Sequence, residues 1–230
     1  MNKVILKISG EALKDGLDNV SNDKLKMVLE TIKILQKRNQ LIGIVIGGGN
    51  FFRGREHTNM HKVTADTIGM LGTVMNALYL KDYLEQNNIE CVISTPFEFP
   101  NLIPKLDDNE LNDAMFQEKV VIFGGGVGKS GYSTDSGVIL ARDILNADTI
   151  IKMTNVDGVY DSDPKLNPNA KKYDKLTYRE VLDQDLKVMD RYAFIKLLEK
   201  KTKLLVMNFD KYAELEQYFD GKNIGTIVEE

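Results

Sequence analysis

The chain has 230 residues, 43% hydrophobic and 28% charged, with five prolines and a formal net charge of −4. That composition fits a soluble globular protein with a sizeable core. It argues against a broad surface for nucleic acid or anionic membrane, so any positive charge for an anionic partner has to be local. A single cysteine, Cys91, excludes an intrachain disulfide, and two histidines, His57 and His61, leave little room for histidine-based acid–base chemistry. Their i, i+4 spacing would suit a metal on a helix, but no third ligand is evident and none is expected. No apolar stretch approaches the roughly 20 residues that a bilayer span needs. The apolar run at the N-terminus is too short for a signal peptide, so a cytoplasmic location is expected.

Taken in order, short apolar runs alternate with longer amphipathic ones. A strand over 3–9 is followed by a helix over 22–38, with Asn22 as its expected cap. A strand over 41–46 leads to a long helix over 62–87. A strand over 89–94 holds Cys91, read as a buried structural thiol. Residues 95–108, with Pro96, Pro100 and Pro104, read as an irregular loop or small subdomain. A helix over 109–118, a strand over 119–123, a helix over 135–146 and a strand over 148–153 come next. After a polar loop over 161–172, helices are expected at 177–184, 190–200 and 211–219, and strands at 203–209 and 224–228. Thr177 and Glu180 have the spacing of a capping box. Strands separated by helices imply right-handed crossovers and an α/β fold, a three-layer αβα sandwich around a mainly parallel sheet. Ligands bind such sheets at the carboxyl ends of the strands. The strands at 3–9, 41–46, 119–123 and 148–153 all run there into loops rich in Gly, Asp or Thr. One domain over 1–230 is expected, divisible into lobes of roughly 1–145 and 146–230 without a compositional break.

Three of those loops carry chemistry. Lys7-Ile8-Ser9-Gly10 ends the first strand. A lysine inside an apolar strand is costly to bury alone, but at the strand's end it can reach a cleft as a point charge on phosphate. The alternative, an edge-strand lysine facing solvent, is the reading for Lys3. Gly10 would bring the backbone close to a phosphate. Gly47-Gly48-Gly49 ends the second strand and is followed by Asn50, Arg53 and Arg55. A tight turn needs one glycine; three expose backbone N–H groups to an anion, with arginine forks nearby. The loop Gly124-Gly125-Gly126-Val127-Gly128-Lys129-Ser130-Gly131-Tyr132-Ser133-Thr134-Asp135 imitates two nucleotide motifs. A P-loop would need glycine where Phe123 stands. Gly126, Gly128 and Gly131 satisfy G-x-G-x-x-G, but the helix opens too late and Asp148 precedes the next strand. The loop reads instead as one that delivers Ser133, Thr134 and Asp135 to a polar ligand, with Thr134 or Asp135 also free to cap a helix. Asp66, at the start of the long helix, reads alone as a solvated or capping acid. Tyr160, after the turn Asp157-Gly158, is placed to stack on a base.

Together these segments resemble the amino-acid-kinase superfamily and, within it, the bacterial uridylate kinases. The resemblance rests on Lys7-Ile8-Ser9-Gly10-Glu11-Ala12-Leu13, Ile46-Gly47-Gly48-Gly49-Asn50-Phe51-Phe52-Arg53-Gly54 and Asp66-x-x-Gly69-Met70-Leu71. It continues through Ser133-Thr134-Asp135-Ser136, Asn155-Val156-Asp157-Gly158-Val159-Tyr160 and Leu186-Lys187-Val188-Met189-Asp190, in family order over nearly the whole chain. It implies the carbamate-kinase-like fold and ATP-dependent phosphorylation of UMP to UDP, with the acceptor in the first lobe and ATP in the second. By that resemblance Lys7, Ile8, Ser9 and Gly10 meet ATP phosphates, and Gly49 and Arg53 face the same side. Thr154, Asn155, Tyr160 and Asp163 match positions near the ATP base and ribose. Gly48 belongs to the UMP side, Asp66 to the UMP ribose hydroxyls, and Val127, Gly128, Lys129, Ser130, Gly131, Tyr132, Ser133 and Thr134 to the UMP loop. Lys7, Arg53, Asp135 and Asp190 form the implied catalytic set, with the two acids tuning the basic groups. Mg²⁺ would be carried by ATP phosphates, no protein metal site is implied, and the assembly would be a homohexamer built from dimers. GTP activation and UTP inhibition occur in the family and vary within it.

The chain departs from its apparent relatives in two stretches. They usually carry Thr-Gly-x-Pro-Phe-Phe before the Thr-Asp pair, where this chain has Val127-Gly128-Lys129-Ser130-Gly131-Tyr132. Residues 95–105 also differ from the usual pattern. Two other readings keep the fold: a carboxylate or carbamate acceptor in place of UMP, and a non-enzymatic nucleotide sensor or oxyanion store. The joint presence of Lys7, Arg53, Asp66 and Asp190 argues against the last.

Overall fold

A computed structural model describes residues 2–230, apart from the side chain of Arg55. Arg55 as an anion ligand therefore lies outside the described residues. Strands β1 (Asn2–Ile8), β2 (Gln40–Ile46), β3 (Cys91–Ser94), β4 (Val120–Phe123) and β5 (Thr149–Thr154) are joined by helices. A two-residue pair, β6 (Val159–Tyr160) with β7 (Lys172–Tyr173), stands apart as a small antiparallel ribbon. Then follow β8 (Lys175–Leu176), β9 (Lys203–Asn208) and β10 (Thr226–Val228). The main sheet has eight strands in the order β3-β4-β2-β1-β5-β9-β10-β8. Only the β9–β10 pair is antiparallel. Its first four positions come from residues 2–123 and its last four from 149–228, so β1 and β5 form the seam between the two halves.

The apolar strands are continuous because both faces are covered. One face packs under α1 (Asn22–Lys37), α2 (Lys62–Gln86) and α7 (Leu215–Phe219), the other under α3 (Asp108–Phe116), α4 (Thr134–Leu145), α5 (Tyr178–Asp183) and α6 (Arg191–Lys200). Strand alternation assigns the side chains. Val4, Leu6 and Ile8 join the α1–α2 layer, and Ile5 joins the α4–α6 layer. Ile151 and Met153 likewise point to the first layer and Ile150 to the second. The same period of two sends Lys7 and Lys152 toward α4.

The elements expected from sequence are present within a few residues, with informative differences. Asn22 does not cap α1; Ser21 holds the cap position in extended backbone, without a side-chain bond, and Asn22 is the first helical residue. The segment at 211–219 begins as a 3₁₀ stretch, Phe209–Glu214, capped by Asn208, and turns α-helical only at Leu215. The two-residue strands β6 to β8 carry too little pattern to be read from sequence. Lys3 is not on an edge strand, because β1 is central. Its ammonium donates to Asn112 Oδ1 at 3.2 Å and to the Leu145 carbonyl at 2.9 Å, 4.7 Å from the Phe116 ring centroid. His57 follows a 3₁₀ turn and stacks on Phe52, while His61 is the residue before α2, so the two do not share a helix face. Among the described residues no helix is long and apolar enough to cross a membrane.

A buried amide pair locks the end of β2 and the loop at Asn19 to α2. Asn50 and Asn76 exchange side-chain hydrogen bonds at 2.7 and 2.9 Å. Asn76 also donates to the Gly47 carbonyl at 2.6 Å and Asn50 to the Asn19 carbonyl at 2.7 Å. Both side chains are buried, so each bond lost leaves an unsatisfied group. Asn76→Ala is expected to cost about 2 kcal/mol of stability. Urea unfolding would measure it, and a loss within error of zero would show that the pair does not hold the turn.

Candidate active site

The carboxyl ends of β1 and β5 carry Lys7 and Lys152 as direct neighbours in parallel register. Between them sits Asp135, in the first turn of α4. Lys7 Nζ lies 3.3 Å from Asp135 Oδ1 and Lys152 Nζ 3.5 Å from Asp135 Oδ2. The three side chains are only 12–14% exposed, so none of these charges would be tolerable alone. Burial pushes the Asp135 carboxyl up, but Lys7 and Lys152 together outweigh it and hold the group below its ordinary value. Burial pulls the Lys152 ammonium down to about 8, partly offset by Asp135 and reinforced by the like charge of Lys7. Lys152 also donates to the Val188 carbonyl. Asp135 Oδ1 accepts no aligned hydrogen bond; its contact with Lys7 is an ion pair only. The two ammonium groups meet at the strand ends around Asp135, with the Asp190 carboxylate near enough to favour the charged form of Lys152, so the pair is placed to meet an incoming anion.

Two helix N-termini converge on it. Ser133, rather than Thr134 or Asp135, caps α4 by accepting from the Asp135 and Ser136 amides. Its hydroxyl also donates to Asp190. Asp190 caps α6 through the Ala193 amide at 2.8 Å, and its own amide donates to Asp135 Oδ2 at 3.2 Å. Asp190 thus reaches Lys7 only through Asp135. The positive ends of both helices add to the field offered to an anion.

Beside the cluster a cavity of about 450 Å³ is lined by Gly48, Gly49, Arg53, Asp66, Val127, Tyr132, Ser133 and Thr134. Backbone proximity explains its glycines. A Cβ on Gly48 would come within 2.6 Å of the Gly69 carbonyl on α2, and one on Gly10 within 2.4 Å of Asn50 Oδ1 and 2.7 Å of the Gly47 carbonyl. Gly10 is therefore needed for the turn itself, beyond any ligand. Arg53 pairs with Glu11 and, at 3.2 Å, with Glu56, so its guanidinium already has carboxylate partners. Gly49 and Arg53, grouped with ATP by the resemblance, line the same cavity as Asp66. Asp66 accepts from Ser130 Oγ at 2.5 Å and from the Gly131 amide at 2.8 Å. Val127 and Tyr132 line the cavity while Gly128, Lys129, Ser130 and Gly131 do not, and Lys129 is exposed to solvent.

A second cavity of about 460 Å³ opens on the other half of the sheet, lined by Lys152, Thr154, Tyr160, Asp163 and Val188 among others. Thr154 closes a local turn onto Val156, Tyr160 donates to Asp157 at 2.5 Å, and Asp163 accepts from the Lys165 amide. Asn155 is exposed and outside this lining. Ile8 is buried in the core with its carbonyl accepting from Gly47, and Ser9 caps the short turn Gly10–Leu13. Lys152 was not singled out from sequence. The signal existed: it is a lysine inside an apolar strand, the same signature that marks Lys7. Among the described residues no group of three His, Cys, Asp or Glu is placed to hold a metal.

The family model described as "Amino acid kinase family" matches residues 2–208. The chain is 40% identical over 228 residues to the uridylate kinase of Thermosipho melanesiensis, covering 98% of this chain and 97% of that one. It is similar to the crystal structure of UMP kinase from Bacillus anthracis with a TM-score of 0.94 and 33% identity, covering 99% of this chain and 96% of that one. For the UMP kinase from Ureaplasma parvum the TM-score is 0.92 at 34% identity, with 100% and 99% covered.

Because Lys152 is depressed to about 8 in the fold against about 10.4 in an unfolded chain, the unfolded state binds more protons between those values. The cost of burying its charge is fully present below about pH 8 and is relieved as the pH rises toward 10.4. The stability of the wild type relative to Lys152→Met should therefore climb across that window. Paired denaturant titrations at pH 7.5 and 10 would test this, and a constant difference would remove the depressed value.

Proposed function

The chain belongs to the amino acid kinase family, and we propose that its site transfers the γ-phosphoryl group of ATP to UMP, giving ADP and UDP. The observation that carries this reading is the Lys7–Asp135–Lys152 cluster, which sets two ammonium groups side by side between two cavities, in a chain similar end to end to uridylate kinases. UMP takes the cavity with Asp66, and ATP the one with Thr154, Tyr160 and Asp163, so the acceptor side belongs to the lobe over 1–145 and the ATP side to the lobe over 146–230.

The chemistry asks little covalent work of the protein. The attacking group is an oxygen of the UMP phosphate, largely ionised at neutral pH, so no strong general base is needed. As the bond to the transferred phosphorus forms and the bond to the ADP oxygen breaks, negative charge spreads over the equatorial oxygens. Lys7 and Lys152 sit where two ammonium groups can follow that charge, and their water-poor surroundings make each interaction worth more than in bulk solvent. Asp135 aims both lysines and favours the charged form of Lys152, and Asp190 aims Asp135 through its amide. Arg53 exchanges Glu11 and Glu56 for phosphate oxygens when nucleotide enters. Mg²⁺ would be carried by the ATP phosphates, as is usual for a cation that is bound through one or two carboxylates plus substrate phosphates, with Asp135 and Asp190 the acids near the transfer point. When bound, that ion neutralises phosphate charge. Exposed Leu71, Met75, Leu78 and Tyr79 on α2 support the homohexamer, a trimer of dimers, that the resemblance implies.

Coupled ADP-release assays with ATP and Mg²⁺ should show turnover with UMP and none with glutamate or carbamate; no UMP-dependent turnover rejects the reading. Lys7→Ala and Lys152→Ala are each expected to lower kcat by about 10²–10³-fold while the fold persists. Asp66→Ala should chiefly raise the KM for UMP, and an unchanged KM would remove its ribose role.

A further inference from the structure

The hydroxyl of Ser130 is directed at Asp66, a side chain lining the cavity that its loop borders. Ser130 Oγ donates to Asp66 Oδ2 at 2.5 Å, and the Gly131 amide donates to the same oxygen at 2.8 Å. Ser130 and Gly131 do not line the 450 Å³ cavity, whereas Asp66 does. A carboxylate oxygen has two lone-pair directions, so these two donors saturate Oδ2. Asp66 Oδ1 has no hydrogen-bond partner among the described residues. Gly131 adopts φ +90°, a conformation that side chains disfavour, and this presents its amide to Asp66. The bonds join α2 to the loop between β4 and α4, 64 residues apart in sequence.

We infer that Ser130 is a positioning residue, whose hydroxyl together with the Gly131 amide holds Asp66 so that Oδ1 alone is presented to the ribose hydroxyls of the acceptor. This rests on the assignment of Asp66 to the acceptor ribose. The terminal torsion of an aspartate is broad, so a carboxylate without fixed donors samples many tilts. Saturating one oxygen fixes the plane and aims the other. The two bonds, that from Ser130 most strongly, also hold Asp66 below the ordinary carboxylate range, so it stays an acceptor for hydroxyl donors. In the same stroke the loop carrying Val127 and Tyr132 is pinned over the cavity it lines.

A double-mutant cycle in UMP kinetics at saturating ATP tests this, with wild type, Ser130→Ala, Asp66→Ala and the double variant. Ser130→Ala should raise the KM for UMP by roughly five- to tenfold, with a smaller change in kcat, as expected for one hydrogen bond to a charged group. In the Asp66→Ala background the same change should alter KM by less than about twofold, because Ser130 then has nothing to aim. An equal factor in both backgrounds would mean that Ser130 meets the nucleotide directly and would overturn the inference, as would a wild-type KM in Ser130→Ala. Wild-type turnover of UMP is the separate control: without it the functional reading fails first, and with it the cycle decides on Ser130 alone.

Discussion

Two ammonium groups share one carboxylate in a space nearly closed to water, and the rest of the site is arranged around that constraint. A single buried lysine would be expelled or neutralised; two beside one aspartate persist because each ion is held by strand, helix or carbonyl. In the proposed reaction donor and acceptor both bring phosphate to these paired ammonium groups. Asp190 and Ser133 then serve mainly to hold Asp135 still, one through a backbone amide and the other by capping the helix that carries it.

The glycine turn at 47–49 plays a quieter part than an anion cradle alone. Gly48 lets α2 approach the end of β2, and Gly10 lets the first strand's loop lie against the same turn. Asn50 and Asn76 close the polar groups that this crowding would otherwise strand. The turn is therefore a packing solution first, and its exposed face beside Arg53 is what remains for ligand.

Most of the fold was legible in the chain because long apolar runs and helical spacing are strong local signals. The pieces that escaped were short or depended on partners. The strands β6 to β8 are two residues each, and the 3₁₀ start of the last helix follows from an Asn208 cap that imitates a turn. In the site, Lys7 was found by its cost inside an apolar strand, and Lys152 carries the same cost but no glycine after it to draw attention. Lys3 shows the limit of the argument. It has the same composition around it, yet it lies at the opposite end of β1, where Asn112 and a helix carbonyl satisfy it. Which end of a strand faces the ligand follows from topology, and topology is not local. The bond from Ser130 to Asp66 was invisible for the same reason, because its partner lies on another element.

The placement of the lysine pair on two paired strands has an evolutionary consequence. Loops bordering the cavities can exchange residues while the distance between the two cations stays set by sheet register. A one-residue insertion within β1 or β5 is another matter. It would rotate its lysine to the opposite layer, leaving an ammonium among Leu, Ile and Met side chains and the carboxylate with a single partner. The cavity linings are free to drift by point substitution, whereas the spacing of the two lysines is inherited whole or lost.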